Sequence, residues 1–559
     1  MKREMKGLGI SPGFVLGELW KREEELALPQ RCNDTEEQLQ SFQRVLAQVR
    51  KENEQRSKDP ALTPEEAEIF EAHDLMLMDP EWIGEIEEMI KEKYCAAYAI
   101  AEVSKQMAAT LEALDDEYLA ERARDIRDIG KQLTRKLGDV DTSLDRYEGK
   151  LLWMEELLAS EVKDLVDAGV PAVLTQSGGR TSHAAILAKS FKLPYVSGIH
   201  PESLSGMQGH VVGLDAHQGV LYLDPDLELQ EEIKRKKQKE IEDDRYFSSL
   251  RQSKTESKDG KKRQVSGNIA GPEDIPALLE EGAEGVALYR TEFLFLKDRL
   301  PTEEEQVEIY KEVFIQLKGL PITVRTLDIG GDKASASFSI EKEENPFLGV
   351  RGIRLSFLYT DVLKTQLRAL LQAALGHEVH IMFPMVSSLD DVLRAKEIYS
   401  QAKAELEEEG KSFSEQISLG VMIEVPSAAL SVPSMAGEID FISIGTNDLI
   451  QYTLAADRMN QQVEEYYDAY NPGLLRLILL CTKEAKEAGI AIAMCGDLAG
   501  EESLSPLWNA MGVEEYGVVS SKITRIRHQL LSSNAENEEL IQNILKAKTS
   551  DEVKEILRA

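Results

Sequence analysis

The sequence is poor in cysteine. Cys32, Cys95, Cys481 and Cys495 are spread over 559 residues and form no C-x-x-C pair. That scarcity speaks against a disulfide framework and a zinc site, and it leaves any important thiol to act alone. Positive charge is also short, with 65 Lys and Arg against 100 Asp and Glu for a net charge of −35. Such a surface repels phosphate backbones and anionic lipids, so nucleic acid and membrane surfaces are poor partners and a basic protein is a good one. Long apolar runs are missing. Even an apolar stretch such as Leu474 to Cys481, broken by Arg476, is far too short to span a bilayer, and Met1 to Lys6 leads into Gly and Pro with no apolar signal region. A cytoplasmic protein without membrane insertion is expected. What is present is a hydrophobic content of 42% over a length that accommodates several folding units.

Val15 to Trp20, after the turn at Ser11-Pro12-Gly13, reads as a strand with no sequence neighbour to pair with, so its partners must come later. From Asn33 to Gly138 the sequence is charged and helical. Thr63-Pro64-Glu65-Glu66 and Asp79-Pro80-Glu81 supply helix starts, and three or four antiparallel helices are expected. Between Tyr147 and Pro225 short apolar runs alternate with glycines and helical stretches, the pattern of an α/β domain that takes in the orphan strand. Asp226 to Lys262, dense in Lys, Glu and Gln, reads as a solvated linker helix. Apolar runs then begin at Val265, Gly285, Ile322, Val379, Leu419, Phe441, Ile490 and Glu515, separated by helical segments. This is the rhythm of a closed (β/α)₈ barrel.

In such a barrel the active site lies just beyond the strand ends. Those positions hold Arg290 with Glu292, Arg325 with Asp328 and Asp332, Pro384-Met385, Glu424, Asn447-Asp448 and Cys495-Gly496-Asp497. Arg351, Arg354 and Arg458 fall on nearby loops. Guanidinium forks suit phosphate and carboxylate oxygens, so a small polyanion is the expected substrate. Glu424 and Asp448 offer hard oxygen ligands that favour magnesium. Cys495 is either chemical or a small buried apolar residue. In the α/β domain, Ser177-Gly178-Gly179-Arg180-Thr181-Ser182-His183-Ala184 places a histidine at a helix start, where free amides favour a phosphoryl group on the imidazole. A capping or loop histidine is the bland alternative. Gly410-Lys411-Ser412 fails as a P-loop, since Glu405 stands where its first glycine belongs, and His377-Glu378-Val379-His380 has the wrong spacing for a zincin helix.

Across essentially its whole length the sequence resembles the Enzyme I family of the bacterial phosphotransferase system, the phosphoenolpyruvate-protein phosphotransferases. Gly178 to Ala184 looks like the family's phosphohistidine signature and Asp440 to Gln451 like its second one. Tyr289 to Phe295, Arg325 to Lys333 and Asn345 to Arg351 match further segments. The resemblance implies that His183 takes the phosphoryl group of phosphoenolpyruvate and passes it to a histidine of the phosphocarrier HPr, releasing pyruvate for sugar uptake. Arg290, Arg325, Arg351, Asn447, Asp448 and Arg458 would bind substrate, Glu424 and Asp448 would hold Mg2+, and Cys495 would protonate the enolate. It implies a phosphohistidine α/β domain (1–22 and 147–225), an inserted helical HPr-binding subdomain (23–146), a helical linker (226–262) and a phosphoenolpyruvate-binding TIM barrel (263–559) through which the chain forms a homodimer. Ile69 to Met78 would lie on the docking surface, with Glu65, Glu66, Glu68, Glu71 and Asp74 steering a basic partner and His73, Met76 and Met78 in contact with it; core packing is the other reading of the methionines. Glu156 to Val162 departs from the family's Asp-Leu-Thr-Pro-Ser-Asp/Glu-Thr, losing hydroxyls near His183, and Tyr516 to Val519 and Asp497 depart as well. A dikinase relative lacks the room for an ATP-binding domain. A regulatory paralogue that binds phosphoenolpyruvate or HPr with little transfer is the remaining alternative.

Overall fold

In the computed structural model, residues 3–22, 28–58, 64–113, 117–137, 144–180, 182–204, 206–296, 299–330, 338 and 343–558 are described. They divide into two compact units, Met1–Asp244 and Arg245–Ala559.

The first unit explains the orphan strand. β1 (Arg3–Lys6), β2 (Leu8–Ser11) and β3 (Phe14–Lys21) join β4 (Leu151–Met154), β5 (Ala172–Thr175), β6 (Tyr195–Ser197), β7 (Val211–Asp215) and β8 (Val220–Leu223) in one sheet, ordered β1-β8-β7-β3-β4-β5-β6-β2. β3 runs parallel to β4, with Trp20 opposite Leu152, and antiparallel to β7, with Leu16 opposite Gly213. β4 and β5 are buried along their whole length, as parallel strands covered on both faces are.

Between β3 and β4 the described residues form five helices, one or two more than expected: α1 (Thr35–Ser57), α2 (Pro64–Met76), α3 (Pro80–Lys91), α4 (Ala96–Glu112) and α5 (Glu117–Leu137). Phe42, Val49, Ile86, Ile100 and Leu133 fill their common core. Asp79 caps α3 as its sequence predicts, accepting from the amides of Glu81 and Trp82. Thr63, the expected cap of α2, lies outside the described residues. The cysteine expectation is corrected here, because Cys32 and Cys95 form a disulfide across 63 residues. Arg31 pairs with Tyr94 in an antiparallel bridge, and the amides of Cys32 and Cys95 donate to the carbonyls of Lys93 and Gln30. The partners are thus set side by side by tertiary structure, which spacing rules do not see.

α6 (Val162–Asp167) and α7 (His183–Ser190) belong to the α/β domain, and α2 packs on it through Ile69 and Phe70. Ion pairs Arg56–Asp164 and Arg135–Glu161 fasten the bundle to that domain, and Arg22, just after β3, shares Glu161. α8 (Leu227–Ser249) follows β8 and buries only Leu229 and Ile233.

The second unit is the expected barrel. β9 (Gln264–Ile269), β10 (Val286–Arg290), β11 (Ile322–Arg325), β12 (Val379–Phe383), β13 (Ser418–Ile423), β14 (Phe441–Gly445), β15 (Ala491–Cys495) and β16 (Glu515–Val518) close into a parallel barrel, with β16 pairing back to β9. Among the described residues no helix is long and apolar enough to cross a membrane.

The disulfide sets a first expected outcome. Denatured but unreduced protein should react with a thiol reagent only at Cys481 and Cys495, the two free cysteines. Closing a loop of 63 residues stabilises the bundle by about 4 kcal/mol in the chain-entropy picture. Reduction should therefore lower the bundle's melting temperature, as followed by the fluorescence of Trp82 in its core.

Candidate active site

His183 is the first residue of α7. Ser182 caps the helix, its hydroxyl accepting from the amide of Ala185 at 3.3 Å; Thr181 lies outside the described residues. Gly178 permits the loop's close approach: it sits at φ +147, and a Cβ there would fall 2.2 Å from the Tyr195 hydroxyl oxygen. The His183 ring is partly exposed, and its Nδ1 lies 2.9 Å from Asp125 Oδ1 on α5. Asp125 also meets His73 Nε2 at 3.2 Å. Burial works against ionisation of Asp125, but the hydrogen bonds and charge of the two imidazoles outweigh it and hold the carboxyl at about 2. Glu156, Leu158, Gly178 and Tyr195 line the small cleft beside the imidazole. The departing segment 156–162 thus puts a buried leucine there, not a hydroxyl.

At the C-terminal end of the barrel, arginines and carboxylates interlock. Arg325 ends β11, its Nη2 2.8 Å from Glu292 and its Nη1 3.2 Å from Asp328. Arg351 reaches Asp328 at 3.1 Å and Asp448 at 3.0 Å, and Arg458 lies 3.7 Å from Asp448. Arg290, at the end of β10, is exposed. Glu424 follows β13 and accepts the amide of Met385 at 2.6 Å. Met385 itself holds a left-handed φ of 55, unusual for a non-glycine residue and a conformation that the surroundings must impose. Burial pushes the Glu424 carboxyl up to about 8, with Asp328 and Asp448 adding to the effect and Arg325 and Arg351 opposing it. Asp328 and Asp448 are near enough for their charge to act on Glu424, and carboxylate oxygens are the donors that a hard divalent cation takes. Glu424 and Asp448 are both buried at this end of the barrel and carry oxygen donors of the chemistry such an ion takes.

Cys495, the last residue of β15, is buried and accepts from the Ser443 hydroxyl at 3.4 Å. Burial pushes its thiol up to about 11, and the Ser443 hydrogen bond and Arg325 only partly offset that. Gly496 at φ +88 turns the chain sharply: a Cβ there would fall 2.4 Å from Thr446 Oγ1. The turn lets Asn447 and Asp497 bond reciprocally, Asn447 Nδ2 donating to Asp497 at 3.2 Å and the Asp497 amide donating back at 3.0 Å.

Arg354 does not join the cluster; it donates to the carbonyls of Leu348 and Gly349. Asp332 and Lys333 lie outside the described residues, as does the side chain of Glu65. The expected docking surface needs correction. His73 is completely buried, and Ile69 and Phe70 face the α/β domain because α2 turns that side inward. Glu66 is buried as well, and Met76 is partly buried against the bundle core. Glu68, Glu71, Leu75 and Met78 remain exposed. Asp125, 58 residues from His183, carries no local sequence signal because it lies among alternating charges on a helix. Glu292 and Asp328 were visible at strand ends without a role attached.

Glu424 has its pKa raised on folding, so the stability it lends is full below the ordinary carboxylate range and is lost as pH rises through about 8. In chelator, Glu424→Gln should melt several degrees above wild type when the pH exceeds about 8, and at the wild-type temperature near about pH 5. Calorimetry across pH reads this directly.

Family models of PEP-utilising enzymes match three stretches: the N-terminal model at residues 6–122, the mobile-domain model at 147–219 and the PEP-binding-domain model at 245–535. A protein of Priestia megaterium named phosphoenolpyruvate-protein phosphotransferase is 38% identical over 100% of this chain and 99% of its own length. Its namesake in Bacillus subtilis is 38% identical over 99% and 98%, and that in Staphylococcus carnosus 36% identical over 100% and 99%. With the histidine-bearing α/β domain, the helical bundle and the barrel all present in that order, the chain belongs to the phosphoenolpyruvate-protein phosphotransferase family.

Proposed function

We propose that the chain transfers the phosphoryl group of phosphoenolpyruvate to His183 and on to a histidine of HPr, releasing pyruvate. What carries the reading is the presence, in one chain of this family, of an imidazole at a helix N-terminus and of a barrel end where buried arginines, carboxylates and a protonated thiol converge. In the forward step His183 Nε2 attacks phosphorus in line, the P–O bond to the enolate breaks, and Cys495 delivers its proton to the methylene carbon. A thiol held near about 11 stays protonated at neutral pH, which suits an acid and not a nucleophile. Arg290, Arg325, Arg351 and Arg458 with Asn447 would bind the phosphoryl and carboxylate oxygens. Glu424 and Asp448 would hold Mg2+, which when bound neutralises phosphoryl charge.

HPr would dock on the exposed face of α2 and the residues just after it, where Glu68 and Glu71 attract a basic partner and Leu75 and Met78 supply apolar contact. His183 must visit both this partner and the barrel end, so residues 226–262 would act as the linker about which the phosphohistidine domain (1–22 and 147–225) swivels. The inserted 23–146 would be the carrier-binding subdomain and 263–559 the substrate-binding and dimerising barrel. A cytoplasmic setting follows from the substrate.

The test uses magnesium and radiolabelled phosphoenolpyruvate. Wild type should take up acid-labile label and lose it to added HPr, and His183→Ala should take up none. Cys495→Ala should slow pyruvate formation by roughly 10²–10⁴-fold while still binding substrate. No label on wild type would sink the reading. The wild-type rate should show no ionisation from this thiol between about pH 7 and 9.

A further inference from the structure

Three elements of the first unit meet at one carboxylate oxygen. His183 Nδ1 from α7 lies 2.9 Å from Asp125 Oδ1 of α5, and His73 Nε2 from α2 lies 3.2 Å from the same atom. Asp125 and His73 are almost wholly buried. His73 Nδ1 has no hydrogen-bond partner among the described residues and is sealed from solvent, with the Phe70 ring nearby at 6.2 Å between ring centres. Leu158 lines the cleft beside the imidazole and offers it no hydroxyl.

We propose that Asp125 and His73 form the positioning device of His183: Asp125 keeps the proton on Nδ1 and so the lone pair on Nε2, while His73 holds the carboxylate in place. The inference rests on the phosphotransfer reading above. A proton on His73 Nδ1 would be a buried donor without an acceptor, which is strongly disfavoured. His73 is therefore the Nε2–H tautomer, a single donor aimed at Asp125. The other charged groups around the oxygen pair are Arg122, 3.8 Å from Asp125 Oδ2, and Arg124, Asp128 and Glu156 along the cleft. Asp128 is already committed to Ser160, whose amide donates to it at 3.0 Å. With Asp125 ionised at all working pH values, both imidazoles donate to it.

The step balances without moving a proton at His183. The Nε2–P bond forms as the enol P–O bond breaks, Nδ1–H stays bonded to Asp125, and the ring gains positive charge that the carboxylate stabilises. On transfer to the next histidine the N–P bond breaks and the lone pair returns to Nε2. The acceptor is a carboxylate, which suits a ring that becomes cationic.

The ligand atoms of His73, Asp125 and His183 also lie within 4.8 Å of one another, close enough to share a metal ion, so the experiment includes that outcome. Full-length chain labelled with ¹⁵N at its eight histidines is examined as wild type, Asp125→Asn, His73→Gln and His73→Leu. Imidazole nitrogen shifts are read without phosphoenolpyruvate, and phosphorylation rates and melting curves alongside. Wild-type His183 should show the Nδ1–H tautomer. Asp125→Asn, whose amide can present an N–H, should move it toward Nε2–H and slow phosphorylation by roughly 10²–10⁴-fold. His73→Gln keeps a donor near the place of Nε2 and should stay within about tenfold of wild type, whereas His73→Leu should give a tautomer mixture. A melting curve preserved in the His73 variants keeps the comparison valid even where Asp125→Asn folds poorly. A wild-type tautomer and rate in Asp125→Asn, or no difference between the two His73 variants, overturns the proposal. So does equimolar zinc that survives dialysis in wild type and is absent from Asp125→Asn. Wild type that shows the Nδ1–H tautomer but takes no label leaves the device standing and removes the phosphotransfer reading.

Discussion

Charges taken out of water must find partners, and in this protein that requirement organises both chemical centres. Arg325 and Arg351 are nearly inaccessible, and each is bonded to carboxylates from more than one element: Glu292 and Asp328 for the first, Asp328 and Asp448 for the second. Buried ion pairs of this kind gain little net stability, because desolvation offsets attraction. They do fix geometry. Behind them Gln366 accepts the amide of Leu327 and donates to Thr291 and Tyr310, so the loops that carry the arginines are tied to a buried polar network.

Two departures from ordinary backbone geometry serve the same end. Met385 takes a left-handed φ so that its amide can reach Glu424, and Gly496 turns where no side chain fits so that Asn447 and Asp497 can bond each other. The barrel wall supplies rigidity, and its layer of Leu288, Met382, Met422 and Cys495 closes the floor of the site with apolar and sulfur atoms.

The barrel was readable because each strand is a short apolar run followed by polar residues, and hydrophobic alternation with helices is a strong signal. Its candidate site residues were readable for the same reason, since the ends of barrel strands are where such residues gather. The first unit was less transparent. Asp125 and Cys95 act through partners 58 and 63 residues away, and helical periodicity shows which residues share a face without showing what covers it. Ile69, Phe70 and His73 do share a face of α2, but that face packs on the α/β domain and leaves Glu68, Glu71 and Leu75 outward. Pattern identified the stripe, and only tertiary packing assigned its two sides.

The bundle is an insertion between β3 and β4, yet it is not an appendage that merely recruits. Its helix α5 reaches the imidazole of α7 through Asp125, α2 supports that carboxylate through His73, and Arg56 and Arg135 stitch the two parts together. A chain that lost the insertion would keep the sheet and the histidine but surrender the carboxylate beside it. The covalent carrier and its acidic neighbour are therefore inherited as a single block. Recombination or redesign that exchanges one of these two parts alone must rebuild the contact at Asp125, and this restricts where the gene can be cut without silencing the nucleophile.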